Sequence, residues 1–296
     1  MNNDIAITLI LPVRSKESIS LDDFYDYWLN AHITLPPRVP GVRDGWLHVV
    51  SFDRQLFAPI DGVSNRPASE DEFHGIPEAT FSTFDDLATF AEASKLQMAD
   101  GENFLASQVA YRSLGASSKN SVDKLDDPAP QGHETSVRHL VFLRGRRDRS
   151  IEERRAAITD TLVPNMAASP LLIKLRHHLF EEVEVTLDHP GVEMTKAENS
   201  HYDAAFEIVV ANEADFASFC ASQAWTACVD TLRETFDAVH PVRVERCIAT
   251  VFNGRPTLAG IRGVRTADAI HRLNARNQMT DEMSNMFLAE PLPKRP

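Results

Sequence analysis

A histidine stands at the end of an amphipathic pattern near the N-terminus. Leu21, Phe24, Trp28 and His32 recur at the spacing of one helix face. Histidine exchanges a proton near neutral pH with little tuning, so His32 is a candidate general acid or base. Tyr27 and Trp28 are then candidates for the wall of a substrate pocket. The alternative is a buried histidine that stabilises the C-terminal end of the helix as a cation, with Trp28 in the core.

Two later segments place charged, aromatic and apolar side chains in alternation. In residues 42–52 and 171–185 the period of two expected of a strand separates a mixed face from an apolar face. The mixed sets are Asp44, Trp46 and His48 in the first segment and Lys174, Arg176 and His178 in the second. The apolar sets are Leu47 and Val49 in the first segment and Leu175 and Leu179 in the second. We expect the apolar sets to lie under helices and the mixed sets to face a shared cavity.

The mixed sets suggest roles in binding and proton transfer. His48 and His178 are expected to assist a proton transfer, and Trp46 to contact a substrate. Lys174 or Arg176 is expected to hold a carboxylate or a developing oxyanion. The alternative is a group of ion pairs and hydrogen-bonded histidines at the rim of a sheet, because buried charges are costly unless they are paired.

Two acidic residues stand close to the starts of predicted strands. Glu78 precedes the apolar residues 79–84, and Asp203 precedes residues 204–210. Either carboxylate is a candidate to orient a histidine or to accept a second proton, with Asp203 assigned to catalysis and Glu78 to substrate binding. The alternative is an acidic residue solvated at the start of a strand.

An internal repeat positions all of these residues. With an offset of 130 residues, Ser150 falls on Ser20, Pro170 on Pro40 and His178 on His48. A long period that occurs only twice indicates two homologous domains rather than a solenoid. Farther along, an offset of 125 places residues 202–206 on residues 77–81 and therefore Asp203 on Glu78.

Each copy is predicted to have the order β-α-β-β-α-β, a ferredoxin-like unit of the α+β class. The first copy has strands at 5–13, 42–52, 79–84 and 106–114, with helices from 20 and from 85. Helices on one face leave the other face of each sheet open, so we expect the two sheets to pack together as a single-chain α+β barrel with a lumen. The expected boundaries are 1–115 and 136–252 for the two domains, 116–135 for a linker and 253–296 for a C-terminal extension.

The composition limits the classes of function. The net charge of −13 disfavours a nucleic-acid-binding surface. The three cysteines lack zinc-site spacing and are expected to be reduced thiols. No apolar stretch is long enough for a membrane span and no signal peptide is recognisable, so a cytoplasmic location is the simplest expectation. Signatures of nucleotide binding, serine hydrolysis and helix-borne zinc sites are missing, and no metal site is predicted.

Residues 24–32, Phe-Tyr-Asp-Tyr-Trp-Leu-Asn-Ala-His, are followed by Leu35-Pro36 and by Val39-Pro40-Gly41-Val42. This pattern resembles the EthD family of the dimeric α+β barrel superfamily. The resemblance covers residues 5–114 and, more loosely, residues 137–252. The resemblance implies a barrel fold. Members of this superfamily include cofactor-free monooxygenases, dehydratases, cyclases, isomerases and haem-binding enzymes. The second copy departs from the pattern, because Leu162 stands at the position of His32 and Ile158 at that of Trp28.

Three functions follow from these patterns and the resemblance. The first is an enzyme without an organic cofactor that carries out acid/base elimination or isomerisation, as a lyase, dehydratase or isomerase, on an apolar aromatic or polyketide-like molecule, with cofactor-free oxygenation as its alternative. The second is a haem-dependent enzyme with a lumen histidine as axial ligand. The third is a non-catalytic protein that binds an apolar metabolite. The chain is expected to act as a monomer or a homodimer, because two copies can close one barrel.

Overall fold

Two β-α-β-β-α-β units follow one another along the chain, and a computed structural model describes them over residues 5–52, 57–129, 131–181, 189–195 and 200–288. The first unit contains strands β1 (Ile7–Ile10), β2 (Val13–Ser15), β3 (Asp44–Ser51), β4 (Gly75–Phe81), β5 (Leu105–Gln108) and β6 (Tyr111–Leu114). Its helices are α1 (Leu21–Asn30), α2 (Phe84–Ala93) and α3 (Lys95–Gly101). The predicted α+β class and ferredoxin-like order are confirmed.

The second unit repeats this order. Its strands are β9 (Val137–Gly145), β10 (Leu172–Leu179), β11 (Ala204–Val210) and β12 (Phe236–Phe252), preceded by β7 (Ser118–Asp123) and β8 (His133–Glu134). Its helices are α4 (Ile151–Ala156), α5 (Val163–Ala167), α6 (Glu213–Ala221), α7 (Gln223–Thr226) and α8 (Val229–Thr235), and a π-helical segment, Ala157–Leu162, joins α4 to α5. After the unit come β13 (Arg255–Pro256), α9 (Leu258–Arg262), α10 (Val264–Arg272) and α11 (Asp281–Asn285). Part of the predicted strand 171–185, residues 182–185, lies outside the described residues.

Antiparallel pairing joins the two units into one sheet with the order β5-β2-β4-β3-β12-β9-β11-β10-β7. The long strand β12 pairs with β9 of its own unit through its first half and with β3 of the other unit through its second half. The same arrangement recurs on the opposite side, where β6 pairs with β1 and the next strand, β7, pairs with β10. In the second unit the last strand, β12, crosses to the first unit, and in the first unit β7, the continuation of the last strand β6, crosses to the second, so the sheet curves into a barrel.

The segment that was predicted to be a linker, residues 116–135, contains β7 and β8. β7 extends the sheet beside β10, and β8 pairs with β12. The side chains of β7 are exposed or only half-buried. This exposure explains why the segment 116–135 is poor in large apolar residues.

Alternation along the strands divides the apolar residues between the barrel interior and the helix-covered faces. Leu47 and Val49 pack under the helices of the first unit, and Leu175 and Leu179 under those of the second. A third cluster fills one end of the barrel between the two units; it includes Ile10, Val50, Phe142, Phe180, Tyr202 and Val242. The period of two therefore assigns the faces of both strands correctly.

Helix α1 begins where Ser20 accepts a hydrogen bond from the backbone N–H of Asp23. It buries Phe24, Trp28 and Leu29 against the sheet. The indole of Trp28 lies so close to Gly75 that a Cβ atom there would be 2.2 Å from Cη2 of the indole. Only glycine allows this approach, which fixes the height of α1 above β4.

The α-helix ends at Asn30, and His32 opens a short 3₁₀-helix, His32–Thr34. The following Pro36 and Pro37 cannot donate the backbone hydrogen bonds that an α-helix needs. Helices α9 and α10 then cover this corner, with Leu258, Val264 and Ala267 in the cluster under α1. No helix within the described residues has both the length and the apolar character needed to cross a membrane.

Candidate functional site

A cavity of about 70 Å³ lies between the first sheet and the helices that cover it. Its wall is mostly apolar and comes mainly from strands β1, β3, β4 and β5 and helices α1, α2 and α3, with Leu9, Leu47, Ala79, Phe90 and Met98 among its residues. The polar side chains in the wall are His32, Glu78, Gln97, Gln108, His189 and Thr250, and Trp28 and Trp46 also line it. We call it the His32 pocket.

His32 is held by a carboxylate that sequence reasoning missed. Its Nδ1 lies 2.8 Å from Oδ2 of Asp100 at the end of α3, with only 12% of the histidine side chain exposed. Asp100 also accepts hydrogen bonds from Tyr27 (2.6 Å) and from Nδ2 of Asn103 (3.1 Å). The bond to His32 is the main reason that the pKa of Asp100 is lowered, and the bond to Asp100 raises the pKa of Tyr27.

This contact orients the imidazole. An ionised Asp100 accepts a hydrogen bond from Nδ1–H of His32. The neutral ring therefore carries its proton on Nδ1 and its lone pair on Nε2. A carboxylate that fixes the tautomer and stabilises the imidazolium is the arrangement that makes histidine an efficient proton carrier. Tyr27 therefore contributes by holding Asp100 in place.

Two side-chain amides give the pocket unused hydrogen-bonding capacity. Within the described residues, Oε1 of Gln97 and Oε1 of Gln108 are buried and have no hydrogen-bond partner. Buried polar atoms nearly always find a partner, so a ligand or water in the pocket is needed to supply donors. Each amide also carries an NH₂ group that can donate to an oxygen atom of a ligand.

Glu78 connects this pocket to the barrel interior. It lines the His32 pocket, yet its carboxylate lies 2.5 Å from Nη1 of Arg176 and 3.6 Å from Nε2 of His48. Burial would raise the pKa of Glu78, but the Arg176 guanidinium and the His48 ring outweigh burial and hold the pKa well below its usual range. Glu78 therefore stays ionised, and Arg176 is its ion-pair partner.

A second and larger cavity, of about 1140 Å³, opens at one end of the barrel lumen. Trp46, Lys174 and Arg176 line it, as the mixed strand faces predicted, together with Asp44. We call it the lumen cavity. Neither His48 nor His178 lines it, because both are 1% exposed and lie deeper in the barrel. Nδ1 of His178 is 3.0 Å from Oγ of Ser118 on β7.

The structure therefore divides the predicted site residues among three places. His32, Trp28, Trp46 and Glu78 share the His32 pocket, with Tyr27 behind it. Lys174 and Arg176 belong to the lumen cavity. Asp203 lies in neither wall: its carboxylate binds the guanidinium of Arg154 at 2.7 Å and the backbone N–H of Gly145 at 2.6 Å, and so it ties α4 to β9.

The sequence repeat predicted that Asp203 is the equivalent of Glu78, and the strand pairing shows that this alignment is wrong. Ile10 pairs with Glu78 in the first unit, and Leu140, its counterpart at an offset of 130, pairs with Glu207 in the second. Glu207 is thus the structural equivalent of Glu78. The offset of 125 rested on a match between short apolar sequences, which did not fix the register; the segments between the second and third strands, residues 52–74 and 180–203, differ in length by only one residue.

The second unit has no counterpart of the His32 pocket among the described residues. Leu162 stands where the first unit has His32, and it is fully buried in the π-helical segment. The corresponding space between sheet and helices has a volume of about 0 Å³ and is filled by residues such as Phe206 and Trp225. The two copies have therefore diverged in the chemistry that they can support.

The size and the lining of the two cavities limit which metal ions or cofactors they can hold. Within the described residues, no group of three or more His, Cys, Asp or Glu side chains is placed to bind a metal ion. The His32 pocket is smaller than the ~150 Å³ cavity that accommodates benzene, so a porphyrin does not fit there. The lumen cavity is large, but none of its described wall residues is a histidine. The arrangement therefore does not fit the alternative of a haem with a lumen histidine as its axial ligand.

The buried histidines make stability depend on pH. Burial lowers the pKa of His48 and of His178, and it lowers the pKa of His177 to about 4. Below about pH 6.5 the unfolded chain binds protons that the folded chain does not, so acid lowers the free energy of unfolding. We expect urea titrations to show a progressive loss between pH 7 and pH 4.5, with up to ~1.4 kcal/mol per pH unit from each histidine.

The variant His177→Gln provides the check, because glutamine does not titrate in this range. Its free energy of unfolding should depend less steeply on pH than that of the parent between pH 6.5 and pH 4. An identical slope in both proteins would show that His177 binds a proton equally well in the folded and unfolded states.

Comparisons with known proteins agree with this fold. Residues 16–108 match the family model described as the EthD domain. A solved structure named "Putative monooxygenase" from Fusobacterium nucleatum subsp. nucleatum aligns with a TM-score of 0.50 and 6% identity over 83% of this chain and 94% of the other. A second, named "anthrone oxidase-like protein", aligns with a TM-score of 0.51 and 10% identity over 83% of this chain and 93% of the other. No curated protein sequence matches the chain significantly.

Proposed function

We propose that this protein is an enzyme for acid/base chemistry on a small apolar carbonyl compound, because residues 16–108 match the EthD domain and help to line an apolar pocket beside a paired histidine. The observation that carries the proposal is the His32–Asp100 pair in the wall of that pocket. Its first step is removal of a proton from a carbon atom next to a carbonyl group. No organic cofactor is required for this step, since the carbonyl group itself delocalises the charge.

His32 acts as the general base. Nε2 of the neutral ring takes the proton, and Asp100 stabilises the imidazolium that forms. The apolar wall excludes water, which strengthens the interaction between these charges. The same nitrogen then returns the proton to a different atom of the intermediate, which completes an isomerisation or expels a hydroxyl group as water in an elimination.

The side-chain amides hold the substrate. The NH₂ groups of Gln97 and Gln108 can donate to the oxygen on which negative charge develops, a kind of stabilisation that contributes strongly in dry sites. Their Oε1 atoms accept from substrate hydroxyl groups. A hydroxylated aromatic or polyketide-like ketone offers both groups. Arg176 and Lys174 do not line this pocket, so the oxyanion role predicted for them is not part of the proposal.

A second reaction begins in the same way. The carbanion formed next to a carbonyl group can transfer electrons to dioxygen, which gives cofactor-free oxygenation. The names of the two structural neighbours, "Putative monooxygenase" and "anthrone oxidase-like protein", favour this alternative. The two reactions differ only after the proton has left, so one assay can test their common step.

The test measures the exchange of the proton next to the carbonyl group of a ketone for deuterium from the solvent. The purified protein is incubated in D₂O, without oxygen, with ketones graded in size from one ring to the three rings of anthrone, and NMR follows loss of the proton next to the carbonyl. We expect exchange above the buffer rate with the one-ring ketones first, because the pocket encloses only about 70 Å³. Even one ring requires wall side chains such as Met98 to move, and larger rings require larger movements.

Three outcomes distinguish the functions. Exchange followed by product without oxygen supports isomerisation or elimination, and exchange that yields product only in air supports oxygenation. Binding of a ketone, seen as ligand line broadening, with exchange no faster than in buffer would contradict the enzyme and favour a binding protein.

A further inference from the structure

The lumen cavity contains an amine in unusual surroundings. Lys174 on β10 points from the barrel wall into this cavity of about 1140 Å³, with 14% of its side chain exposed. The cavity opens to solvent, so small molecules can reach the amine. Lys119 on β7 also lines the cavity but is exposed. Two lysines in one cavity therefore differ mainly in burial and in their neighbours.

The neighbours of Lys174 are buried charges of both signs. Nζ of Lys174 lies 2.8 Å from Oε2 of Glu207, which is only 1% exposed. Arg138 forms ion pairs with both Glu207 and Glu134. Arg176 binds Glu78 at 2.5 Å. Three cations thus face three carboxylates, and the cluster remains close to neutral overall only while the guanidinium groups keep their charges.

The amine is the one cation of this cluster that can lose its proton, since guanidinium groups stay charged. Burial is the main cause that lowers the pKa of Lys174 to about 8, and Arg138 and Arg176 lower it further. Roughly a quarter of such an amine is neutral at pH 7.5, compared with about a thousandth of an ordinary lysine. Only the neutral form is a nucleophile.

We propose that Lys174 binds an aldehyde or a ketone covalently in the lumen cavity, as a reversible imine with Glu207 as the proton carrier. The nitrogen lone pair adds to the carbonyl carbon, and the proton that nitrogen loses passes through Glu207 to the carbonyl oxygen. A second proton from nitrogen follows the same route, water leaves and a C=N bond forms. One water molecule is released, no electrons are exchanged, and hydrolysis reverses each step.

The cavity also indicates the type of carbonyl compound. The ring centroids of Trp46 and Phe252 lie 6.2 Å apart in its wall at an interplanar angle of 75°, and the two rings offer apolar surface in the same cavity as the amine. An aromatic aldehyde or ketone can place its ring there while its carbonyl group reaches Lys174. This site is separate from His32 and does not depend on the function proposed for the His32 pocket.

The test uses benzaldehyde as the probe and cyanoborohydride to reduce any imine to a stable amine. The full-length protein is treated at pH 7.5 with benzaldehyde below saturation, and peptide mass mapping locates the adducts. We expect Lys174 to be labelled at least ~10-fold faster than Lys119, Lys16 or Lys95, and its rate to rise with pH up to about 8 and then level off.

Two variants complete the test. Lys174→Arg keeps a cation beside Glu207 but cannot form an imine, so labelling at this position should disappear while the far-UV circular dichroism is retained. Lys119→Met should leave the labelling of Lys174 unchanged. Labelling of Lys174 no faster than that of Lys119, Lys16 and Lys95, or no labelling of Lys174, would overturn the proposal.

Discussion

Replacing His32 with glutamine is expected to lower kcat/KM for the exchange of ketone protons by ~10²- to 10⁴-fold, the range that a positioned general base contributes. Glutamine fills a similar volume and can still donate a hydrogen bond to Asp100, so the pocket should keep its shape. The loss should therefore fall on kcat, with little change in KM, because the substrate-holding groups remain. NMR measurement of initial exchange rates in D₂O gives both constants.

Asp100 provides an independent measurement on the same pair. Asp100→Asn keeps the size of the side chain but removes the charge that fixes the tautomer of His32 and stabilises the imidazolium. We expect a loss of ~10-fold or more from Asp100→Asn alone. The double variant should lose no more than His32→Gln alone, because the two residues act as a unit.

A surface histidine serves as the control for His32. His271 on α10 is exposed and lies outside both cavities, so His271→Ala should retain the exchange rate of the parent. The thermal midpoint of His32→Gln, measured in parallel, should stay within a few degrees of the parent value. Full exchange activity in a folded His32→Gln protein would show that another residue removes the proton.

The second large effect concerns the ion pair that crosses between the two units. Arg176→Met is expected to lower the free energy of unfolding by ~3–5 kcal/mol, because it leaves Glu78 charged and buried without its partner. Arg176 also donates to Ser118 Oγ at 2.9 Å and to Thr8 Oγ1 at 3.2 Å, so three strands lose a shared contact. Urea denaturation at pH 7.5 measures the loss.

The pH dependence identifies the cause. Without Arg176, burial raises the pKa of Glu78 above that of the unfolded chain, so the folded state gains a proton. The destabilisation should therefore be smaller at pH 5 than at pH 7.5. The double variant Arg176→Met/Glu78→Gln should recover much of the loss at pH 7.5, since no buried charge is then left unpaired.

An exposed pair sets the baseline for this measurement. Arg233 and Asp230 on α8 form an ion pair with 80% of the aspartate side chain exposed, and Arg233→Met should change the stability by less than ~1 kcal/mol. A loss in Arg176→Met no larger than in Arg233→Met would mean that water or another cation compensates Glu78 inside the barrel.

Much of the fold could be predicted because its causes are local. The period of two in β3 and β10 placed Leu47 and Leu175 under the helices, and the repeat with its offset of 130 required two similar units. The crossing of β7 onto β10 was not predicted. Its pairing depends on backbone hydrogen bonds to a distant strand, and a polar segment such as residues 118–123 resembles a linker when only hydrophobicity is considered.

The candidate site was only partly predictable for a related reason. His32 and Trp28 were found from helical spacing, which is encoded over a few residues. Asp100 was missed because its contact with His32 spans 68 residues and depends on where α3 ends, which the sequence pattern does not fix. The lumen cavity followed from strand alternation, but alternation gives only the face of a strand and not its depth, so it could not show that His48 and His178 lie below the cavity wall.

The strand that crosses between the units also bears on how the chain folds during synthesis. One edge of β3 pairs with the second half of β12. The backbone groups of Ser51 on that edge therefore stay unpaired until Arg243 has been synthesised. Until then the first unit presents an open, largely apolar strand edge, which is a template for association with other chains. Such distant pairing slows folding. Completion of the barrel is therefore a late event, and the growing chain exposes this strand edge until β12 emerges.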